Sequence, residues 1–265
     1  MMAADPVVLD RPEPHVARVL INRPEKRNAI DLDVRSALLD TVAALQADAT
    51  VRALVIGGAG GTFSSGGDVP SMIGLSEHDA RERMRHVHRL CRLVAGLRIP
   101  VVSAVEGVAA GGGVGLALLG DFIVVGASTK LLLPFLKLGL TPDWGLLYTL
   151  PRRVGLPAAR RILTAGKAIG GPEALAIGLA DEQADDARVM DAALAQAAEW
   201  SLLPHDAFAR MKARLNDPSA TLDAELAREE NDQVACFAGD EFAEGHAAFS
   251  AKRRPDFVGR PKRAR

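Results

Sequence analysis

The stretch VVSAVEGVAAGGGVGLALLGDFIVVG, residues 101–126, contains two short apolar runs separated by glycines and an apolar segment. Val101–Val105 and Phe122–Gly126 carry no charge, which is typical of strands buried on both faces of a sheet. Between them, the glycines predict a loop that leads into a helix ending near Leu119. Because this crossover is too long for a hairpin, the two strands are predicted to pair in parallel.

The same order of elements is predicted upstream. VRALVI (Val51–Ile56) reads as a buried strand, the loop GGAGGTFSSGGD follows it, and an amphipathic helix is predicted from Asp79 to Leu97. Nearer the N-terminus, VVLD and VARVLI predict a strand pair, and Asp31 is predicted to cap the next helix. Strands joined by helical crossovers indicate an α/β fold with a parallel sheet.

The pattern changes in the second half of the chain. After about Gly155 the sequence is predicted to be almost wholly helical, with apolar residues at helical spacing. We therefore expect a core domain over residues 1–200 and a helical oligomerisation region over residues 201–265. The apolar faces beyond Pro204 lie on a region too thin to bury them alone, which favours association with other copies.

Composition excludes several classes of protein. The 265 residues include 32 Lys and Arg against 33 Asp and Glu, a balance that indicates no nucleic-acid partner. No apolar stretch reaches membrane-spanning length, and the N-terminus lacks the pattern of a signal peptide. Cys91 and Cys236 are far apart and form no metal or redox spacing. We expect a cytoplasmic protein without a membrane or metal partner.

Two glycine loops, FSSGGD and AAGGGVG, each follow a buried strand and precede a predicted helix. Glycine lets the backbone approach a ligand closely, and the first amides of a helix have no internal acceptor. Two such loops that meet in space can direct two N–H donors at one developing oxyanion. The alternative is that the glycines only permit tight turns, since no phosphate-loop or dinucleotide fingerprint is complete.

The chain resembles the crotonase, or enoyl-CoA hydratase/isomerase, superfamily. The segments NRPEKRNAI, FSSGGDV, AVEGVAAGGGVGLALLGD, LPRRVG, GPEALAIGLAD and AFSAKR resemble family segments in the family order, over nearly the whole chain. This resemblance implies a spiral of strand-strand-helix (ββα) units with a helical C-terminal trimerisation region. It also implies acyl-coenzyme A (acyl-CoA) thioester substrates, no cofactor beyond the coenzyme A of the substrate, and a homotrimer or a dimer of trimers.

The resemblance also implies roles for individual residues. The oxyanion N–H donors correspond to Gly67 and Gly112. The loop from Lys26 to Ala29 and the backbone near Ser65 correspond to the coenzyme A site, and residues near the C-terminus correspond to positions that close the site. The predicted substrate-binding residues are Lys26, Ala29, Ser65, Gly66, Asp68, Phe135, Trp144, Phe249 and Lys252.

Two acids of the family's hydratases are absent from this chain. One lies two residues after the glycine triplet, where this sequence has Gly115, and the other follows the Pro of the next strand, where it has Phe135. Addition of water to a double bond needs a base for the water and an acid for the α-carbon. Because neither Gly115 nor Phe135 can titrate, simple hydration is disfavoured.

Asp143, in LGLTPDWGLLYTL (residues 138–150), is the charged residue of an otherwise core-like stretch. A carboxylate in apolar surroundings has a raised pKa, which suits a proton carrier. LGLTPDWG resembles the 1,2-epoxyphenylacetyl-CoA isomerase-like branch, in which an aspartate at this position carries protons. The alternative is that Asp143 is the N-cap of a helix from Trp144 to Leu150. Asp68 is likewise expected to cap a short helix, and all six histidines are expected to be structural or solvated.

Three functions follow from these residues. The first is an acyl-CoA isomerase that shifts a double bond, or opens a strained ring, through an enolate with Asp143 as acid and base. The second makes Asp143 a nucleophile, as in the aryl-CoA dehalogenases of the superfamily, although an aromatic content of 4% argues against it. The third is a non-catalytic acyl-CoA-binding protein, which the loss of both acids suggests.

Overall fold

The computed structural model describes residues 5–259, in which nine strands and ten α-helices are joined by loops and short 3-10 turns. The strands are β1 (Val7–Glu13), β2 (Val16–Ile21), β3 (Ala53–Gly58), β4 (Val101–Val105), β5 (Val108–Ala110), β6 (Phe122–Gly126), β7 (Lys130–Leu132), β8 (Ile169–Gly170) and β9 (Glu182–Ala184). The helices are α1 (Leu32–Ala47), α2 (Glu77–Ala95), α3 (Gly112–Ala117), α4 (Leu146–Val154), α5 (Leu156–Ala165), α6 (Gly171–Ala176), α7 (Val189–Ser201), α8 (His205–Asn216), α9 (Leu222–Phe237) and α10 (Asp240–Ser250).

Six strands form the larger sheet in the order β1-β2-β3-β4-β6-β9. β1 and β2 are the predicted antiparallel pair, and every later neighbour pairs in parallel, as the long crossovers predicted. The strand predicted from Val51 begins at Ala53, and the crossover helix predicted from Asp79 to Leu97 is α2.

A second sheet of three strands has the order β5-β7-β8. β5 follows β4 and β7 follows β6, so successive turns of the chain add one strand to each sheet, and the helices lie between turns. An isolated parallel bridge between Ser64 and Ala109 links the loop after β3 to this second sheet. The predicted spiral of ββα units is confirmed.

The prediction of an almost wholly helical second half is wrong at two places. β8 has two residues and antiparallel pairing with β7, and β9 has three residues and pairs in parallel with β6. Such short segments show no periodicity of their own. They are strands because the edges of two sheets, built from distant parts of the chain, offer them hydrogen-bond partners.

The core explains why the central strands are apolar along their whole length. One face of the larger sheet packs against α1, α2 and the smaller sheet, while the opposite face packs against α7, where Val189, Ala193 and Ala197 are fully buried. The predicted cap of α1 is confirmed, because the Asp31 side chain accepts a hydrogen bond from the Val34 N–H at 3.0 Å.

The C-terminal helices are buried to different extents, since α8 and α10 each bury residues and α9, between them, buries none. In α8, the buried Lys212 donates to Asp121 at 2.7 Å and to the Ile99 carbonyl at 3.1 Å. In α9 no residue is buried, and Phe237 is 61% exposed. The predicted region boundary at residue 200 falls at the end of α7, and residues 1–4 and 260–265 lie outside the described residues. No helix between residues 5 and 259 is long and apolar enough to cross a membrane.

Candidate active site

The first glycine loop lies directly against the second. Gly66 has a φ of +90°, and a Cβ placed on it would come within 2.4 Å of the Ala110 carbonyl oxygen and 3.4 Å of the Gly112 nitrogen. The Gly66 N–H donates to Ser64 Oγ at 3.0 Å, and this hydroxyl donates to the Asn28 carbonyl at 2.7 Å. Only glycine fits here, because both the positive φ and the close backbone contact exclude a side chain.

The second glycine loop presents the start of α3 to a cavity. Gly111 has a φ of +49°, and its N–H donates to the Leu132 carbonyl in β7 at 2.8 Å. Gly111 is the N-cap of α3, and Gly112 is the first residue of the helix. The Gly112 N–H has no partner within the helix. Among backbone hydrogen bonds of the described chain, none uses the Gly67 N–H as a donor. Gly67 and Gly112 both line a cavity of about 800 Å³.

Asp143 lines the same cavity, in the loop that precedes α4. Its Oδ1 is buried and has no hydrogen-bond partner in the described part of the chain. Burial raises the pKa of the Asp143 carboxyl, and the positive charges of Arg83, His88 and Arg35 offset part of that rise. The sequence correctly placed a carboxylate in apolar surroundings here.

The helix-cap alternative for Asp143 is wrong. α4 begins at Leu146 with Gly145 as its N-cap, and no side chain caps it. Asp143 contributes only its backbone carbonyl, which accepts from the Leu146 N–H at 3.0 Å. The carboxylate is therefore left for the cavity.

Trp144 fills the space beside Gly115, the position at which the family resemblance implies one of the two missing acids. It is only 3% exposed and has a φ of +52°, which is unusual for a bulky residue. A Cβ on Gly115 would come within 2.3 Å of Trp144 Cβ, and a Cβ on Gly112 within 2.5 Å of the indole Nε1. The two glycines of α3 therefore leave room for this indole, which packs beside Asp143. Phe135, at the second acid position, is buried and lines the cavity.

Helix α2 supplies two basic side chains that sequence reasoning missed. Arg83 and His88 both line the cavity. His88 is exposed, as expected for a solvated histidine, but it also lies near Asp143 and lowers the pKa of that carboxyl. Arg83 lies four residues before the buried Val87 and therefore on the same face of α2. A charged residue on that predicted apolar face was a signal in the sequence that could have identified Arg83.

The thiol of Cys91, also on α2, lies close enough to Asp143 to be affected by its charge. Burial and the negative charge of Asp143 raise the pKa of Cys91 to about 12. The thiol is therefore protonated at neutral pH, which makes it a weak nucleophile. Among the described residues, no group of three or more His, Cys, Asp or Glu side chains is placed to hold a metal ion.

The two segments predicted to bind coenzyme A lie side by side. The Ser65 N–H donates to the Arg27 carbonyl at 2.8 Å, and Ser65 Oγ donates to the Lys26 carbonyl at 3.4 Å. Lys26 is exposed and Ala29 is partly buried. Asn28, fully buried, holds this loop in place by donating to the Ala59 carbonyl at 2.9 Å. Sequence reasoning assigned no role to Asn28.

Asp68 and the C-terminal residues differ from the expectations for them. Asp68 precedes the 3-10 turn Val69–Met72, but its side chain makes no cap hydrogen bond; its carbonyl accepts from Ser71 Oγ at 2.7 Å instead. Phe249 is 84% exposed and Lys252 is also exposed. Neither is among the residues that line the cavity, so the predicted closure of the site is not realised within one chain.

These positions together define a chemistry. Two N–H donors can stabilise one negatively charged oxygen, and a carboxylate with a raised pKa can accept and return a proton beside it. The surrounding wall is mostly apolar, which strengthens both effects by excluding water. The lining side chains of the wall include Val69, Met72, Met84, Phe135, Leu138 and Trp144.

Comparisons with known proteins agree with the fold. A family model described as enoyl-CoA hydratase/isomerase matches residues 12–260. The chain is 32% identical over 258 residues to 1,2-epoxyphenylacetyl-CoA isomerase of Escherichia coli (strain K12), covering 96% of this chain and 98% of that protein. It is also 32% identical over 259 residues to crotonyl-CoA hydratase of Syntrophomonas wolfei, covering 97% and 99%.

Solved structures show the same relationship. A structure from Streptomyces coelicolor A3(2) superimposes with a TM-score of 0.91 at 34% identity, covering 98% of this chain and 96% of that one. Enoyl-CoA hydratase from Bacillus anthracis superimposes with a TM-score of 0.90 at 26% identity, covering 96% and 100%. The resemblance noted in the sequence is thus confirmed over nearly the full length. The chain belongs to the enoyl-CoA hydratase/isomerase family.

Proposed function

We propose that this protein is an acyl-CoA isomerase that shifts a double bond, or opens a strained ring, through a thioester enolate. The observation that carries the proposal is the unpartnered carboxylate oxygen of Asp143, in the same cavity as the N–H groups of Gly67 and Gly112. Within the described chain, Asp143 is the one carboxylate among the residues that line this cavity. A single carboxylate suits an isomerisation that moves one proton between two carbons.

The proposed reaction has two proton transfers. The thioester oxygen binds to the N–H groups of Gly67 and Gly112, and Asp143 removes the α-proton to leave an enolate. The protonated carboxyl then returns the proton to another carbon of the conjugated system, which completes the shift of the double bond. One oxyanion donor is worth about 2.7–4 kcal/mol in transition-state stabilisation. Substrate coenzyme A is held by the loop containing Lys26 and Ala29 and by Ser65, and no cofactor is needed.

Hydration is the second candidate, because one relative at 32% identity is named crotonyl-CoA hydratase. It needs one group to activate water and another to protonate the α-carbon. Gly115 and Phe135 supply neither, and Trp144 fills the space above Gly115. We therefore expect crotonyl-CoA hydration far below the rates of typical enzymes, which lie at about 10 per second.

Incubation with 3-enoyl-CoA in D₂O tests the proposal. Isomerisation produces conjugated 2-enoyl-CoA, detected by its ultraviolet absorption, and mass spectrometry detects the deuterium that is incorporated from solvent. Hydration of 2-enoyl-CoA without isomerisation contradicts the proposal. A covalent aryl ester of Asp143, formed from a halogenated aryl-CoA with release of halide and with the thioester intact, supports the nucleophile alternative, which the aromatic lining residues Phe135, Trp144 and Tyr148 make worth testing. Binding of coenzyme A thioesters with no exchange indicates the non-catalytic alternative.

We also propose that the protein assembles as a homotrimer or a dimer of trimers. The helices α8–α10 expose large apolar side chains that monomeric proteins seldom leave in contact with water. These include Met211, Leu215, Leu222, Val234, Phe237 and Phe249. Association would cover them, and sedimentation at micromolar concentration tests this, since a monomer there contradicts the proposal.

A further inference from the structure

Arg83 places an unpaired cation in the wall of the apolar cavity. Its guanidinium lies beside the first glycine loop, since a Cβ on Gly67 would come within 3.2 Å of Arg83 Nη2. The side chain is partly buried, and burial lowers the pKa of the guanidinium without discharging it. In the described part of the chain, Arg83 makes no hydrogen bond to another side chain and no ion pair within 4.0 Å. A partly buried guanidinium without acceptors from the protein is stabilised by a ligand that supplies them.

The charges around Arg83 are not balanced. Arg35 lies behind it, is 3% exposed, and makes one long hydrogen bond, to the Ile30 carbonyl at 3.4 Å. Burial and the charge of Arg83 lower the pKa of Arg35 to about 10, so it is also a cation at neutral pH. The facing acids are Asp143, with a raised pKa, and Asp68, which does not line the cavity. The cavity is therefore short of negative charge on the Arg83 side.

We propose that Arg83 is a specificity-determining residue that binds a carboxylate on the acyl group, so that the preferred substrates are coenzyme A thioesters of short dicarboxylic acids. Arginine suits this role, because its planar guanidinium binds a carboxylate with two parallel hydrogen bonds. The acyl chain of the substrate is expected to be short, because Arg83 lies next to Gly67, one of the two donors assigned to the thioester oxygen. This inference rests on the proposed function for the thioester site. It restricts the substrate class to thioesters whose acyl group ends in a carboxylate.

Calorimetric titration of saturated thioesters tests Arg83 without requiring turnover. Glutaryl-CoA and pentanoyl-CoA have acyl chains of equal carbon number, but only the first ends in a carboxylate. We expect the wild-type protein to bind glutaryl-CoA at least about tenfold more tightly, the usual worth of a hydrogen bond to a charged group. Arg83→Met should lose this preference and keep its affinity for pentanoyl-CoA.

The matched control is Arg85→Met, on the same helix. Arg85 is exposed and pairs with Glu82, so this variant should retain the preference for glutaryl-CoA. Arg83→Lys should retain part of it, which keeps the test decisive if the Met variant does not fold. Equal binding of the two thioesters by the wild-type protein, or an undiminished preference in Arg83→Met, overturns the proposal.

Failure of this inference is distinguishable from failure of the proposed function. If the protein binds both thioesters equally and still exchanges α-protons with D₂O, the role of Arg83 is wrong and the isomerase stands. If it prefers glutaryl-CoA but exchanges no α-proton from any thioester, the role of Arg83 stands and the isomerase is wrong. Absence of binding to every coenzyme A thioester contradicts both.

Discussion

Replacement of Asp143 by Asn changes the proposed proton carrier and almost nothing else. The two side chains have the same shape, and neither Asp143 oxygen caps a helix. Asn cannot accept a proton at neutral pH, so turnover and α-proton exchange should both fall by about 100- to 10,000-fold, the usual contribution of a positioned acid or base. Affinity for a saturated acyl-CoA should change little, because the loop at Lys26 and the backbone at Ser65 lie in other segments.

The same substitution should not weaken folding, and the structure determines the sign of its effect. Burial raises the pKa of Asp143 in the folded state. Above an unfolded pKa of about 3.9 the folded chain therefore holds a proton that the unfolded chain releases, and stability falls as pH rises through the folded pKa. Each unit by which the folded pKa of Asp143 exceeds the unfolded pKa lowers the stability of the wild-type protein by about 1.4 kcal/mol at pH values above both. Asn does not titrate, so the Asp143→Asn variant does not lose this stability. We expect Asp143→Asn to be as stable as the wild type, or more stable, at pH 7, with the difference disappearing near pH 3.

The assay combines thermal unfolding at pH 3 to 8 with deuterium incorporation into acyl-CoA. Asp33→Asn is the control, because Asp33 is an exposed carboxylate on α1, and the substitution should leave exchange intact. A folded Asp143→Asn protein that still exchanges α-protons at the wild-type rate would show that the proton carrier is another group. A large loss of stability at pH 7 would show instead that the carboxylate is a structural element.

Three further substitutions follow from the packing. Gly115→Ala places a methyl group 2.3 Å from Trp144 Cβ, so urea unfolding should show a loss of about 1–3 kcal/mol; unchanged stability would mean that the indole can move. Lys212→Met leaves the partly buried Asp121 without its cation, which should cost about 3 kcal/mol at pH 7, the lower end of the range for broken buried pairs, and less at acidic pH, where Asp121 is protonated; the same cost at both pH values would contradict this. Phe237→Glu, on the exposed α9, should shift sedimentation toward monomers while leaving the fold intact by circular dichroism; an unchanged oligomer would place the interface elsewhere.

Some parts of the site were predictable because their signals are local. A carboxylate in the apolar stretch around Pro142 and Trp144 predicts burial, and with it a raised pKa, and glycine runs after buried strands indicate backbone N–H groups open to a ligand. The absence of acids at Gly115 and Phe135 is likewise read directly from the chain. Arg83 was not identified, because its meaning depends on which loops face α2, and that contact joins residues about sixty positions apart.

The amino-acid sequence by itself determined the parallel sheet and the capped helix α1, together with the family to which the chain belongs. Hydrophobic periodicity, capping residues and glycine runs act over a few neighbouring positions, so they can be recognised without coordinates. Only the tertiary structure decided that β8 and β9 are strands, that Trp144 fills the space above Gly115, and that Arg83 faces Asp143 across one cavity. Each of these depends on long-range contacts, in which the partner's position and not the residue's own preference sets the outcome.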